Sequence, residues 1–306
     1  MSGKVGFVIV SHANPEQALR LSRMINRMYD DPPIVCHHDF SQCALSTDLF
    51  PANVRFVQPS IATGWGKWSV VESFLAALKL LYEDGGPDWF FLLSASDYPV
   101  KPAAEVLREL EATDCDAFID IHQLGSHTPA ATIVGDWNPK LDFLENDFSR
   151  KEKRNFYLNF QMWLPILRRK PKLRVGRYTA YFPFQGKTPF HDRFHLFYGE
   201  HWFAANRRAA RALLEPTDDH RRLQQHLRLR FGPDECYYQT ILANTAGLKL
   251  CRDNKRFVEW SGLGAHPKPL VSSDLPGAFA SGAFFARKFK PNAPVLDEID
   301  AAIAPA

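Results

Sequence analysis

A chain of 306 residues with 45% apolar composition can bury one large α/β core or two small ones, and nothing in it reads as disordered. A net charge of +3 is too small to point to nucleic acid, and no apolar run approaches the ~20 residues of a membrane span. Five scattered cysteines (Cys36, Cys43, Cys115, Cys236, Cys251) without a Cys-x-x-Cys favour reduced thiols over a disulfide framework or a zinc site, and with no signal-peptide anatomy after Met1 the expected setting is cytoplasmic.

Gly6-Phe7-Val8-Ile9-Val10 reads as a first strand running into Ser11-His12-Ala13-Asn14-Pro15, where Asn14 is placed to cap a helix and Pro15 to fill its first position. That helix should reach about Tyr29, because Ala18, Leu21, Met24, Ile25 and Met28 recur at intervals of three and four. Residues 34–39 (Ile-Val-Cys-His-His-Asp) and 54–57 read as the next two strands. Val71, Phe74, Leu75, Leu78, Leu81 and Tyr82 then make an amphipathic helix over 67–83, ended by Gly85-Gly86-Pro87. The aromatic and aliphatic run 88–93 has the continuous apolar character of a strand buried on both faces. A helix over 103–112 and a strand over 117–121 follow.

This alternation predicts a doubly wound, mostly parallel α/β sheet in the first ~125 residues, with ligands beyond the carboxyl ends of its strands. Ser11 to Asn14, Asp39 and the stretch Ser94-Ala95-Ser96-Asp97 fall at such ends and should share one crevice. Residues 126–197 are richer in Pro, aromatics and basic residues, and read as an insertion within a single domain. Eleven cations between Arg150 and Lys187 face one acid, Glu152: a solvated surface, or an attractor for an anionic acceptor or membrane face. After it, 202–204 reads as a strand, 207–214 as a helix and 233–244 as another.

Three constellations bear on chemistry. Pro233-Asp234-Glu235 opens the last helix, where the field of the backbone amides keeps carboxylates ionised and Glu235 is placed either as a base or as a helix cap. Asp114-Cys115-Asp116 is a literal Asp-x-Asp, but it precedes its strand and reads as a polar connector. His37 and His38 are adjacent on a strand, point to opposite faces and cannot chelate jointly. No Gly-x-Gly-x-x-Gly follows the first strand, which argues against a dinucleotide-dependent oxidoreductase.

Five ordered blocks resemble the core-2/I-branching enzyme family, glycosyltransferase family 14, which also holds peptide O-xylosyltransferases and plant glucuronosyltransferases. They are Val8-Ile9-Val10-Ser11-His12 with Asn14-Pro15; Cys36-His37-His38-Asp39; residues 89–99; Tyr198-Gly199-Glu200-His201-Trp202-Phe203 with Pro233-Asp234-Glu235; and Phe284-Phe285-Ala286-Arg287-Lys288-Phe289. The resemblance implies a GT-A-like fold, a UDP-sugar donor, inversion at the anomeric carbon and no divalent metal. It maps the general base onto Glu235, and the diphosphate cations onto Lys288 and, after His266-Pro267, Lys268. A nucleotide contact at Asp39 follows from it, with Ser11 and His12 beside it, His12 lying either in the core or in the donor cleft. Ser94, Ser96, Asp97, Glu200, Trp202, Asp234 and Trp260 become candidates for the donor or acceptor sugar, while Asp97 also reads as a turn cap and Trp260 as a core residue.

On these readings, residues 1–125 form a nucleotide-sugar-binding half and 198–306 an acceptor and diphosphate half. The expected activity is metal-independent, inverting transfer of N-acetylglucosamine, xylose or glucuronate from a UDP-sugar to a glycan or glycolipid hydroxyl, forming a β linkage. The segment Leu93-Ser94-Ala95-Ser96-Asp97-Tyr98-Pro99 looks closer to the xylosyl and glucuronosyl branches. The setting is expected to be cytoplasmic, peripheral to an inner membrane, in a bacterial glycan pathway. The competing reading is a non-catalytic nucleotide-sugar or glycan-binding protein on the same fold.

Overall fold

The computed structural model describes residues 4–123, 189–228, 232–261 and 267–303, together with the backbone of three short strands in the insertion. In chain order the strands are β1 (Val5–Ser11), β2 (Ile34–His38), β3 (Val54–Phe56), β4 (Trp89–Ser94), β5 (Tyr98–Pro99), β6 (Ala117–Ile119) and β7 (His122–Gln123). Then come β8 (Tyr157–Asn159), β9 (Lys172–Val175), β10 (Tyr178–Tyr181), β11 (Phe197–Tyr198), β12 (Phe203–Asn206), β13 (Leu250–Cys251), β14 (Arg256–Val258) and β15 (Phe285–Arg287). The described helices are α1 (Pro15–Tyr29), α2 (Trp68–Tyr82), α3 (Ala103–Ala112), α4 (Arg207–Leu214), α5 (Asp218–Leu227), α6 (Tyr237–Asn244), α7 (Leu275–Ala280) and α8 (Val295–Ile303). None of them is long and apolar enough to cross a membrane.

The fold is mixed α/β around a mostly parallel seven-stranded sheet, ordered β13-β6-β12-β4-β1-β2-β3. Only β12 opposes the others, lying antiparallel between β4 and β6 with Ala204 opposite both Phe91 and Phe118. Strands from both ends of the chain therefore share one sheet. The run in β4 is buried on both faces because side chains alternate. Phe91 and Leu93 join Met24 and Ile25 of α1 and Phe285 in one layer. Phe90 and Leu92 join Val71 and Phe74 of α2 and Tyr238 of α6 in the other.

Ser11, His38 and Ser94 end β1, β2 and β4 side by side, with Val10 opposite Ser94 and Ser11 opposite His38. A second, three-stranded sheet, β14-β15-β5, brings the segment after β4 against two C-terminal strands.

Three local expectations are corrected, and one helix appears that the sequence did not signal. Asn14 sits before α1 in a left-handed conformation with no side-chain cap bond, and its carbonyl alone starts the helix by accepting from Gln17 and Ala18 N–H. Residues 233–244 are not one helix: Pro233–Glu235 forms a 3-10 turn entered from Gly232 at φ 66°, and Cys236, at φ −137°, breaks the chain direction before α6. The highly charged stretch of α5 is helical, capped by Thr217 and packed through His220, Leu223 and Leu227. Finally, Cys115 and Cys251 form a disulfide, with Cα atoms 5.9 Å apart, while Cys36, Cys43 and Cys236 take no part in one. Pairing of β13 beside β6, Cys251 opposite Phe118, is what brings together cysteines 136 residues apart.

Candidate active site

At the carboxyl ends of β1 and β2, the strand-end residues are tied to one another and to their loops. Ser11 Oγ donates to His38 Nδ1 at 2.7 Å, and His38 Nε2 donates to the Cys43 carbonyl at 2.7 Å, which sets the tautomer. His37 turns the other way and accepts from Ile61 N–H at 3.0 Å, while burial lowers its basicity. Asp39 is buried, and its two oxygens accept from Ser41 N–H and Oγ, Gln42 Nε2, and Thr63 N–H and Oγ1, at 2.6–3.0 Å. Burial opposes its ionisation, yet the bonds from Ser41, Thr63 and Gln42 together hold the carboxyl far below the usual range. The Asp39 carboxylate thus builds the loop walls of the crevice. His12 is exposed at the same strand ends, outside the core.

The turn after β4 closes on itself. Asp97 N–H donates to the Ser94 carbonyl at 3.1 Å, Ser96 N–H to Ser94 Oγ at 3.2 Å, and Ser94 N–H to the Asp97 carboxylate. Asp97 is fully buried, and its second oxygen lies 3.0 Å from Arg287 Nε in an ion pair whose N–H is not aligned for a hydrogen bond. Arg287 in turn lies 4.3 Å over the Trp202 ring. The sequence reading of Asp97 as a turn cap is thus met alongside an ionic role.

Arg256, at the start of β14, enters the same cluster. Its Nη2 donates to the Leu92 carbonyl at 3.0 Å and its guanidinium lies 5.2 Å from the Phe285 ring centroid. Its Nε and Nη1 are buried with no hydrogen-bond partner. Burial pushes it down to about 10, partly offset by Asp97 and Glu200. Lys288, half-buried, has no ion-pair partner among the described residues, and burial together with Arg287 lowers its pKa. Lys268, by contrast, is tied to Asp274 by bonds of 3.0 and 3.1 Å from its Nζ, and His266 lies outside the described residues. Of the two lysines expected at the diphosphate, the structure brings Lys288 into the cluster and holds Lys268 on a carboxylate. Sequence reasoning passed over Arg256 and Arg287. Arg287 stood inside a quoted block, whereas Arg256 opens a three-residue strand with no periodic signal.

Facing this cluster is the carboxylate turn. Gly199 N–H donates to the Glu235 carbonyl at 2.9 Å, and Gly232 N–H to the Gly66 carbonyl at 2.9 Å, so both sides of the 3-10 turn are sutured to neighbouring loops. Only glycine fits at 199, because a Cβ there would stand 1.9 Å from the Asp120 carbonyl oxygen. Glu200 is held through its own N–H to Asp120 at 2.9 Å and accepts from Asn254 Nδ2 at 3.2 Å. His201, 7% exposed, has Nδ1 3.8 Å from Asp234 Oδ2. Burial, reinforced by Arg287, pushes its imidazole down to about 3, so it is neutral at ordinary pH. Glu235 and Asp234 are partly exposed, and Trp260 is 39% exposed, which sets aside core packing for it.

The cations about Asp97 and the Asp234–Glu235 carboxylates are therefore joined through residues 199–202, next to the strand ends that carry Ser11 and Asp39. The Asp-x-Asp at 114–116 is elsewhere and occupied: Asp114 pairs with Lys249 at 2.8 Å and Asp116 with Arg208 at 2.9 Å.

A family model described as Core-2/I-Branching enzyme matches residues 6–276. The β-glucuronosyltransferase GlcAT14B of Arabidopsis thaliana is 29% identical over 254 residues, covering 81% of this chain and 51% of its own. Xylosyltransferase 1 of Homo sapiens is 24% identical over 329 residues, covering 97% of this chain and 30% of its own. The chain thus spans about half the length of the plant relative and under a third of the human one. A solved structure of the galactosyltransferase LgtC, in complex with donor and acceptor sugar analogues, covers 98% of this chain and 97% of its own at 10% identity, with a TM-score of 0.40. Since the family match extends over most of the molecule, the chain belongs to the Core-2/I-Branching enzyme family, glycosyltransferase family 14.

Proposed function

We propose that the protein is an inverting, metal-independent glycosyltransferase that moves a sugar from a UDP-sugar to a glycan or glycolipid hydroxyl, forming a β linkage. The observation that carries this reading is the pairing of an under-partnered cation cluster, Arg256 and Lys288 with Arg287, with the Asp234–Glu235 turn across residues 199–202. Inversion needs one carboxylate to take the proton of the attacking hydroxyl and fixed positive charge on the opposite side to stabilise the departing diphosphate. Glu235 is the base. Arg256 and Lys288 meet the diphosphate, whose charge restores the basicity that burial takes from both. Asp97 acts at one remove by orienting Arg287 over Trp202, and Trp202 and Trp260 offer faces for sugar rings. Ser94, Ser96, Glu200 and Asp234 line the space between. Ser11, His12 and the loops tied to Asp39 receive the nucleotide.

The donor is xylose or glucuronate ahead of N-acetylglucosamine, in keeping with what the names of the xylosyl- and glucuronosyltransferase relatives say of those proteins. The work proposed for the basic run 150–187, contact with an anionic acceptor or a membrane face, falls outside the described residues. The test is release of UDP on incubation with UDP-xylose, UDP-glucuronate or UDP-N-acetylglucosamine and a panel of glycan acceptors, with EDTA present throughout. Acceptor-dependent release in EDTA is expected. Activity lost in EDTA and restored by Mn²⁺ refutes metal independence, and UDP-sugar binding without release means a non-catalytic binder.

A further inference from the structure

Arg287 closes β15, where it pairs with Val258 of β14, and Lys288 follows it, its carbonyl accepting from Leu270 N–H at 2.8 Å. They lie between Ala286, paired with Tyr98 across β15 and β5, and Phe289, whose N–H donates to the Ser96 carbonyl at 3.0 Å. Both fixed points are on the turn after β4. The placement of the two cations therefore depends on residues 96–99 on one side, and on Val258 and Leu270 on the other.

That turn is anchored from behind through a single hydroxyl. Tyr98 is fully buried, and its OH donates to Asp300 Oδ1 at 2.6 Å. The other Asp300 oxygen accepts from Arg20 Nη2 at 2.7 Å, and Arg20 Nε donates back to the Tyr98 oxygen at 3.3 Å, closing a triangle. Arg20 Nη2 also donates to Asp297 at 2.6 Å, and Arg27 stands 3.6 Å from Asp300. Arg20 sits on α1, whereas Asp297 and Asp300 sit on α8, beyond residue 276 where the family match ends. A charge-assisted bond to a buried phenol is short and directional, so it fixes a turn in a way that apolar packing of the same ring does not.

We propose that Arg20 and Asp300 are positioning residues for the donor: through the Tyr98 hydroxyl they hold the Asp97 turn, and with it Arg287 and Lys288, where those cations meet the diphosphate. This rests on the donor reading given above. Through Asp300 alone the C-terminal helix thereby acts on the site, although it touches no substrate.

The test is calorimetric titration of the full chain with UDP, beside thermal unfolding of each variant. Tyr98→Phe keeps the buried ring and removes only the hydroxyl, and Asp300→Asn alters a partly exposed side chain that the fold tolerates. Each is expected to weaken UDP binding roughly five- to twentyfold. Asp297→Asn also removes an Arg20 partner but does not touch Tyr98, and is expected to bind UDP within about twofold of the unaltered chain. UDP affinity unchanged in Tyr98→Phe and Asp300→Asn, with only the melting temperature lowered, overturns the proposal, as does an equal loss in Asp297→Asn. An unaltered chain that binds no UDP overturns the donor reading itself, and this inference with it.

Discussion

Replacing Arg256 by methionine separates a binding role from a structural one, because the two predict opposite signs. Folding pushes the Arg256 pKa from its ordinary value down to about 10, and burial is the main cause. For a base whose folded pKa is lowered, the cost is carried wherever the group is charged, below that folded value, and so at neutral pH. At about 1.4 kcal/mol per tenfold change in proton affinity, the cost is about 3 kcal/mol. Methionine keeps an apolar stem over the Phe285 ring and gives up the charge-assisted bond from Nη2 to the Leu92 carbonyl, worth about 1.5–3 kcal/mol. The balance lies between zero and a gain of about 1.5 kcal/mol, so Tm should hold or rise slightly. UDP affinity should move the other way, at least about tenfold weaker, since each charge-assisted bond to the diphosphate is worth about 1.5–3 kcal/mol. Thermal unfolding and calorimetric titration of the same preparation read both. A variant that melts well below the unaltered chain while binding UDP normally would show that Arg256 only supports the sheet edge.

Further outcomes follow from other parts of the site. Glu235→Gln should abolish acceptor-dependent UDP release while leaving the dissociation constant for UDP within about twofold, and residual turnover near the unaltered rate would remove Glu235 as the base. Cys115→Ser, or reduction with dithiothreitol, should lower stability by about 2–4 kcal/mol in urea unfolding; identical curves with and without reductant would mean that the two thiols are not joined. Asp39→Asn should destabilise at pH 7 through the loss of charge-assisted bonds from Ser41, Gln42 and Thr63. Because the folded Asp39 pKa is depressed, the stability it adds is present above the ordinary carboxylate range and lost as pH falls toward the folded value. The gap between Asp39→Asn and the unaltered chain should therefore narrow below about pH 4, and a gap that widens there contradicts the assignment.

Much of the first ~125 residues was legible in the residue order. The intervals of three and four in α1 and α2, and the unbroken apolar run of β4, encode which faces are buried, and burial is a local requirement that each element must meet by itself. Ser11, Asp39 and Ser94 fall at strand ends for the same reason. The α5 helix was not legible, since its apolar face is only Leu223 and Leu227 beside His220 within a run of charges. Nor was the break at Cys236, where a 3-10 turn and a helix share one continuous helix-like pattern.

The sequence by itself determined the family, the α/β class and the placing of Ser11, His38 and Ser94 at neighbouring strand ends, because buried periodicity and ordered motif blocks survive in one dimension. Only the tertiary structure decided how the charges are spent. Lys268 goes to Asp274, Asp97 to Arg287, and Asp39 to its own loops, leaving Arg256 and Lys288 as the under-partnered cations. It also decided that β12 divides β4 from β6, that Cys115 meets Cys251, and that α8 stands behind Tyr98. The physical reason is range. An ion pair, a disulfide or a shared proton acts over a few ångströms, and the partners here lie up to 280 residues apart along the chain, so which groups meet is settled only when the sheet closes.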